Sequence, residues 1–166
     1  MKILVSACLL GQMVRYDGGT CAIVSGILQR WLEEGLVIPF CPEVAGGLPV
    51  PRPPAEVRGA GGEAVLDGAG QVVTKAGTDV TQAFLRGACS AVEVARTGEA
   101  PLAILKDDSP SCGCYTIHDG SFSGRRIPGQ GVTAALLRRS GIAVFSEQEL
   151  TTARELLDHL ASPSGA

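Results

Sequence analysis

Short apolar runs alternate with longer amphipathic segments along most of this chain, and this alternation constrains the fold more than any other feature. Four runs have the continuous apolar character of strands buried on both faces: residues 2–6, 36–40, 101–105 and 142–145. The helical spacing of apolar side chains predicts helices in four other segments: residues 20–34, 78–97, 132–139 and 147–160. The pattern predicts an α/β, three-layer Rossmann-like fold in which helices cover a parallel sheet of about four strands.

Two segments rich in glycine and proline interrupt this alternation. Residues 41–77 are too long for an ordinary connection. Apolar residues at positions 57, 65–66 and 72–73 are separated by glycine-rich turns, which predicts a small β-ribbon in this insertion. Residues 106–131 form a second irregular segment. The length of 166 residues is that of one ordinary domain, so we expect a single domain over residues 1–161 and a disordered tail over residues 162–166.

Charge and composition exclude several classes of protein. The chain carries 14 basic and 17 acidic side chains, a net charge of −3, so it lacks the cationic excess with which nucleic-acid-binding proteins neutralise phosphates. No apolar run approaches the ~20 residues of a membrane span, and the first residues lack the features of a signal peptide. Six cysteines in a domain of this size indicate metal or redox chemistry in a reducing compartment. We therefore expect a cytoplasmic protein that binds neither a membrane nor bulk nucleic acid.

Three of the cysteines follow three different predicted strands. Cys8 and Cys41 come just after the first and second strands, and Cys112 lies a few residues after the third. Parallel strands end at the same edge of a sheet, where α/β folds bind their ligands, and neighbouring strands are ~4.8 Å apart. We expect the three thiols to converge there and to hold one metal centre. Any one of them taken alone could be a small buried hydrophobic residue, and we interpret Cys21 and Cys89 in that way.

The spacing of the cysteines gives no support to a zinc site, although it leaves one possible. A structural zinc site takes four ligands, often in C-x-x-C pairs; this chain has no such pair, and zinc would need Cys114 as its fourth ligand. A [4Fe–4S] cluster that only transfers electrons uses four thiolates. Three thiolates would leave one iron open to a substrate atom, and such an iron is thiophilic. A third alternative is a thiol redox protein in which Cys112 and Cys114 form a disulfide.

Polar side chains near these cysteines are candidate catalytic and binding groups. Glu43 lies in a loop where burial could raise its pKa and suit it to acid–base catalysis, although a solvated carboxylate is the alternative. Ser109 and Ser111 either contact the substrate or only form a turn. Asp17 either binds substrate or caps the first helix. Lys106 either offsets the negative charge of a cluster or pairs with the neighbouring carboxylate at the surface.

Several separated motifs resemble the 2-thiouracil desulfurase-like family. They occur in the family's order and span residues 1 to about 149: SACLLG, VRYDGG, CPEVAGGLP, PRPPAE, LKDDSPSCG, HDGSFSG and GVTAALLRRSGIAVFSE. The resemblance implies a Rossmann-like fold and the removal of sulfur from 2-thiouracil or a related thiolated pyrimidine, giving uracil and hydrogen sulfide without net redox chemistry. It also implies a [4Fe–4S] cluster that is held by Cys8, Cys41 and Cys112 and keeps one open iron.

The resemblance implies roles for the polar residues as well. It favours Glu43 as a catalytic group and a working serine in the SPSC motif, for which Ser109 is the first choice. We expect Ser111, Asp17 and Lys106 to contribute to binding a small thiolated pyrimidine.

Overall fold

A computed structural model describes residues 1–163 of the protein. Strands and helices alternate through most of it, as the apolar pattern predicts. In chain order they are β1 (Ile3–Ser6), α1 (Gly26–Glu33), β2 (Val37–Phe40), α2 (Pro42–Ala45), β3 (Ala55–Arg58), α3 (Gly61–Leu66), β4 (Gln71–Thr74), α4 (Thr81–Thr97), β5 (Leu102–Leu105), β6 (Thr116–His118), β7 (Arg126–Pro128), α5 (Val132–Arg139), β8 (Ala143–Ser146) and α6 (Leu150–Ala161).

A parallel sheet with the strand order β2-β1-β5-β8 forms the middle of three layers. Successive side chains of a strand point to opposite faces, so β1 contributes to two apolar clusters. Ile3 and Val5 pack with Trp31 of α1 and with α6 on one face. Leu4 packs with α4 and with Leu137 of α5 on the other. The predicted Rossmann-like, three-layer α/β fold is confirmed.

Helices α1 and α4 start later than predicted, and for α1 a polar side chain fixes the start. The hydroxyl of Ser25 accepts a hydrogen bond from the N–H of Leu28 (3.4 Å), so α1 begins at Gly26 and not near residue 20. α4 begins three residues later than predicted, after a turn in which the carboxylate of Asp79 accepts the N–H of Thr81 (2.9 Å). The Ser25 contact is the capping hydrogen bond that polar residues favour at helix starts.

The insertion contains the predicted β-ribbon, formed by the antiparallel strands β3 and β4. Residues 65–66, which the sequence pattern assigns to the ribbon, do not belong to it. They lie in α3, where Val65 packs with Val57 and Val72 of the ribbon and with Phe84 of α4. The second irregular segment is more ordered than predicted, because β6 and β7 form another antiparallel pair within it.

Two glycines let α2 pack directly on α4. An added Cβ on Gly87 would lie 2.0 Å from the carbonyl oxygen of Pro42, and one on Gly46 would lie 2.0 Å from that of Ala83. The two backbones therefore touch without intervening side chains. This contact fixes α2, the helix that starts directly after Cys41.

None of the helices among residues 1–163 is long and apolar enough to cross a membrane. Residues 164–166 of the predicted tail lie outside the described residues. The assignment of residues 1–161 to a single domain stays a prediction.

Replacing Gly87 with Ala is expected to lower the free energy of unfolding by about 2–3 kcal/mol, because the new methyl group forces α2 away from α4. The matched control is Gly26→Ala at the first position of α1, where an added Cβ has no neighbour within 4 Å; it should be neutral or slightly stabilising. Urea unfolding followed by circular dichroism measures both. Equal midpoints for the two variants would contradict the close contact.

Candidate active site

A cleft of about 450 Å³ opens at the carboxyl edge of the parallel sheet. Its lining comes from the loops after β1, β2 and β5, from the start of β3, and from β6, β7 and the loop between them. The three predicted metal ligands, Cys8, Cys41 and Cys112, all line this cleft. The structure thus brings together three residues that are far apart in the sequence.

Short helical turns present the first two of these cysteines. Cys8 lies in a single 3₁₀ turn, Ala7–Leu10, that continues directly from β1. Cys41 follows β2 and is the N-cap residue of α2, whose first residue is Pro42. Proline suits that position because its fixed φ matches a helix and its missing N–H would have no partner there. Both cysteines therefore lie where a strand changes into a helical turn.

Ser6 connects the third cysteine to the centre of the sheet. The Ser6 hydroxyl, at the end of β1, donates a hydrogen bond to the sulfur of Cys112 (3.5 Å) and accepts the backbone N–H of Lys106 (3.1 Å). Both Ser6 and Cys112 are buried. One hydroxyl group thus ties the ends of two neighbouring strands to a proposed ligand, and the sequence pattern gave no indication of it.

A single carboxylate oxygen organises the loop that carries Cys112. Oδ1 of Asp107 accepts four backbone N–H groups, those of Asp108 (2.9 Å), Cys114 (2.8 Å), Tyr115 (3.1 Å) and Thr116 (3.2 Å). Burial acts to raise the pKa of Asp107, but these four hydrogen bonds outweigh it and the pKa is lowered. The charged form of Asp107 is therefore part of the folded loop.

The two serines of the SPSC motif have different surroundings. Ser109 lines the cleft, and its hydroxyl oxygen accepts the N–H groups of Ser111 (3.1 Å) and Cys112 (3.0 Å), which leaves its O–H free to donate. Ser111 is fully buried, and its hydroxyl pairs with that of Thr133 (2.9 Å). The prediction that Ser111 contacts the substrate is not supported, because its side chain points into the protein and not into the cleft.

Asp17 and Lys106 also differ from each other in placement. Asp17 is exposed, its carboxylate accepts the N–H of Gly19 (2.8 Å), and it is not among the described residues that line the cleft. It neither reaches the cleft nor caps α1, because the turn it forms lies well before that helix.

Lys106 does line the cleft, and its ammonium group lies 2.8 Å from the carboxylate of Glu147. Burial acts to lower the pKa of Lys106, but the hydrogen bond and charge of Glu147 outweigh it and the pKa is raised. Lys106 therefore stays protonated. Its carboxylate partner is Glu147, and not the neighbouring Asp107, of which it contacts only the backbone carbonyl oxygen (3.0 Å).

Glu43 lies in the cleft beside a buried arginine that sequence reasoning missed. Arg52 is 7% exposed and donates hydrogen bonds to Oε1 of Glu43 (3.3 Å), to the carbonyl oxygen of Val14 (2.8 Å) and to that of Pro49 (3.1 Å). Burial raises the pKa of Glu43 even though the charge of Arg52 opposes it. The sequence feature that could have indicated Arg52 is its place as the one charged residue in the proline-rich run of residues 49–54.

The three thiols predicted to be metal ligands have raised pKa values. Burial raises the pKa of Cys8 to about 12, and the nearby thiols of Cys21 and Cys41 add to the effect. Burial also raises the pKa of Cys41, and it raises that of Cys112 although the Ser6 hydroxyl opposes it. Reactive redox cysteines have lowered pKa values, so this environment argues against a thiol redox protein.

The other cysteines occupy three different environments. Cys114 is buried against the backbone carbonyl oxygens of Cys112 (3.4 Å) and Leu105 (3.7 Å), away from the cleft. Cys21 packs against the apolar cluster beneath α1, as predicted, but it also lines the cleft. Cys89 is exposed; the prediction that it is buried was wrong, because it lies at the edge of the apolar stripe of α4.

The donor set fits an iron–sulfur cluster, because three thiols line one cleft. Within residues 1–163, no group of three or more His, Cys, Asp or Glu side chains is close enough to hold one ion. A cluster is larger than an ion, so its thiolates stand farther apart around one cavity, and thiolates are the ligands that iron–sulfur clusters prefer. Zinc also lacks its proposed fourth ligand, because Cys114 does not line the cleft.

Comparisons with known proteins agree with this geometry. A family model described as 2-thiouracil desulfurase matches residues 3–149. The uncharacterized protein YbbK of Bacillus subtilis (strain 168) is 45% identical over 148 residues, which are 89% of this chain and 97% of YbbK. A solved structure of the [4Fe–4S]-dependent thiouracil desulfidase TudS is similar with a TM-score of 0.88 and 49% identity, over 95% of this chain and 98% of that one.

Replacing Asp107 with Asn is expected to lower the free energy of unfolding at neutral pH by about 2 kcal/mol, after allowance for the partial exposure of the carboxylate. The folded pKa is lowered, so this stabilisation is complete above the unfolded pKa of ~3.9 and is lost as the pH falls through the folded value. Urea unfolding of both proteins at neutral and acidic pH measures it.

The control for this prediction is Asp67→Asn, since Asp67 is an exposed carboxylate that pairs with Arg139 at the surface. It should change the unfolding midpoint much less. A difference between wild type and Asp107→Asn that stays the same from neutral pH to about pH 3 would contradict the role of the charged carboxylate.

Proposed function

The chain belongs to the 2-thiouracil desulfurase family, and we propose that it is a [4Fe–4S]-dependent enzyme that removes sulfur from thiouracil. The observation that carries this proposal is the convergence of Cys8, Cys41 and Cys112 on one cleft. Similarity to a solved [4Fe–4S]-dependent thiouracil desulfidase supports it. The reaction consumes water and thiouracil and gives uracil and hydrogen sulfide, so no electrons are gained or lost overall.

We assign the three cysteines as the ligands of the cluster, with one iron left without a protein ligand. When bound, such a cluster supplies a thiophilic Lewis acid that polarises a C=S bond. The thiols must lose their protons to become ligands, so loading of the cluster releases protons to solvent. Lys106 stays protonated at the edge of the cleft and offsets part of the negative charge that these thiolates bring.

Glu43 is the general base in this proposal. Arg52 engages Oε1 of Glu43, which leaves Oε2 to take a proton from the water that attacks the thiocarbonyl carbon. Arg52 thereby acts as a positioning residue, because its contacts with the carbonyl groups of Val14 and Pro49 fix the guanidinium group. Partial burial raises the pKa of this carboxylate, which suits it to accepting and returning a proton.

Ser109 supplies a hydrogen-bond donor to the substrate. Two backbone N–H groups hold its hydroxyl oxygen, so the direction of the hydroxyl group is restricted before substrate arrives. A donor fixed in this way can stabilise negative charge that develops on the pyrimidine as water attacks. Ser111 does not contact the substrate directly in this proposal. Its buried hydroxyl group joins the loop that carries Ser109 to Thr133 of α5.

The substrate class and the compartment follow from the cleft and the cysteines. A cleft of about 450 Å³ is in the range of small-molecule sites, which suits a free thiolated pyrimidine. All six cysteines are unpaired, as is typical of proteins in a reducing compartment. We therefore place the enzyme in the cytoplasm and assign a small thiolated pyrimidine as its substrate.

Cys41→Ser is expected to abolish both iron binding and sulfide release, because one of three ligands is lost. Wild-type protein reconstituted without oxygen should bind about four irons and release sulfide from 2-thiouracil. Cys89→Ser is the matched control, since Cys89 is exposed on α4 and outside the cleft. Iron and sulfide assays on the purified proteins measure both effects. A folded wild type that takes up zinc but no iron would contradict the proposal.

Glu43→Gln is expected to lower kcat by about 10²–10⁴ while iron content stays that of the wild type, because the amide cannot accept the proton. Glu63→Gln, at the exposed start of α3, is the control and should keep full activity. Sulfide release under anaerobic conditions is the measurement. Full activity of Glu43→Gln would exclude Glu43 as the base.

A further inference from the structure

Phe122 has a backbone conformation that its residue type rarely adopts. Its φ is +57°, in the left-handed region that favours glycine and is strained for a bulky side chain. The residue lies in the loop between β6 and β7 and lines the cleft. Strained residues persist where the surrounding structure enforces them, and they cluster at functional sites.

Core packing does not explain this strain. The chain has four phenylalanines, and Phe40, Phe84 and Phe145 each pack in or against one of the three apolar clusters of the described residues. Phe122 is half-buried and belongs to none of these clusters. Phe122 therefore lines the cleft without belonging to an apolar cluster that would offset the unfavourable backbone.

A buried carboxylate from another element holds the loop in place. Glu56 of β3 is 8% exposed, and its Oε1 accepts the N–H groups of Gly120 (3.0 Å) and Phe122 (3.3 Å). The N–H of Asp119 is hydrogen-bonded to the carbonyl oxygen of Arg125 (3.0 Å), which closes the base of the loop. Because these contacts reach the backbone of Phe122 itself, they hold the segment from which its ring projects.

The other phenyl and phenol rings of the cleft are less available to a ligand. Phe40 packs against the apolar cluster beneath α4 and α5. The guanidinium group of Arg15 lies over the ring of Tyr16, 5.7 Å from its centroid. Phe122 is thus the ring that the protein positions at an energetic cost and leaves open to the cleft.

We propose that Phe122 is a substrate-positioning residue whose ring stacks on the face of the pyrimidine, and that Glu56 holds this ring in position. The inference rests on the proposed function, because it takes the occupant of the cleft to be a pyrimidine. A planar π-system is the surface on which a pyrimidine stacks well. Stacking fixes the plane of the substrate, so that its thiocarbonyl group is directed toward the cysteines and its ring edge toward Ser109.

Two variants of Phe122 test the proposal on the reconstituted holoenzyme. Phe122→Ala and Phe122→Gly both remove the ring and should raise the KM for 2-thiouracil about 10-fold or more, with a smaller change in kcat. Phe122→Trp should keep KM close to that of the wild type. Iron content and the absorption spectrum of the cluster should not change in any of them. A structural role predicts the opposite: loss of iron or of thermal stability, with KM unchanged in the fraction that remains folded.

Thermal stability distinguishes the effect of removing the ring from the effect of relieving the backbone strain at residue 122. Glycine adopts a φ of +57° without strain, so Phe122→Gly should be at least as stable as Phe122→Ala although both lack the ring. An unchanged KM in both variants would overturn the proposal. So would a midpoint of unfolding in Phe122→Gly that lies well below that of Phe122→Ala, because the ring position would then not be strained.

The role of Glu56 is tested by a double-mutant cycle. Glu56→Ala should raise KM like Phe122→Ala, and the double variant should be no worse than either, because both changes remove one stacking contact. Glu56→Gln keeps an oxygen acceptor for the two N–H groups and should restore most of the affinity. Additive effects in the double variant would show that Glu56 does not act through Phe122.

A binding measurement distinguishes failure of this inference from failure of the proposed function. Equilibrium dialysis measures the Kd of uracil for the wild type and for the same variants. Because uracil is not turned over, this Kd reports on stacking and not on catalysis. A reconstituted wild type that releases no sulfide from 2-thiouracil overturns the proposed function. A wild type that does release sulfide, with KM and Kd both unchanged in Phe122→Gly, overturns the inference alone.

Discussion

The parallel pairing of β1 with β2 and β5 brings the three proposed cysteine ligands to one edge of the sheet. Ser6 pairs with Phe40 at the ends of β1 and β2, and Val5 pairs with Ile104 of β5. The three strands thus end level with one another, and Cys8 and Cys41 follow within two residues. Ser6 extends the same alignment to Cys112 through its hydroxyl group. A shift of one strand by one residue would turn its side chains to the other face and separate these groups.

The parts of the site that depend on strand ends could be predicted from sequence, whereas the parts that depend on long-range hydrogen bonds could not. Apolar runs are visible in a sequence, so the positions of Cys8 and Cys41 just after two such runs were enough to place both thiols at one edge of the sheet. The partners of Arg52 and Glu56 lie up to 38 and 66 residues away, in loops without periodicity. The prediction that Cys89 is buried failed for a related reason. Neighbouring positions on a helix can be buried and exposed, and the apolar pattern alone did not separate them here.

Several unfavourable features lie in the cleft and are offset in the rest of the fold. Thiols and a carboxylate with raised pKa values and a phenylalanine with a positive φ line this cleft. Outside it the structure has fully buried apolar strands and helices in backbone-to-backbone contact at Gly46 and Gly87. This distribution is expected when a binding site needs side chains in conformations or environments that are unfavourable for them.

Each proposed ligand is held by contacts that do not involve a cofactor. Cys8 lies in a helical turn continuous with β1, Cys41 starts a helix that packs tightly on α4, and Cys112 follows a loop shaped by Asp107 and Ser109. In the proposed function, loading of a cluster would therefore not have to order three separate loops, but it would require the removal of protons from thiols whose pKa values are raised. Cys21 lines the same cleft, so the proposed open iron requires that this thiol does not become a fourth ligand.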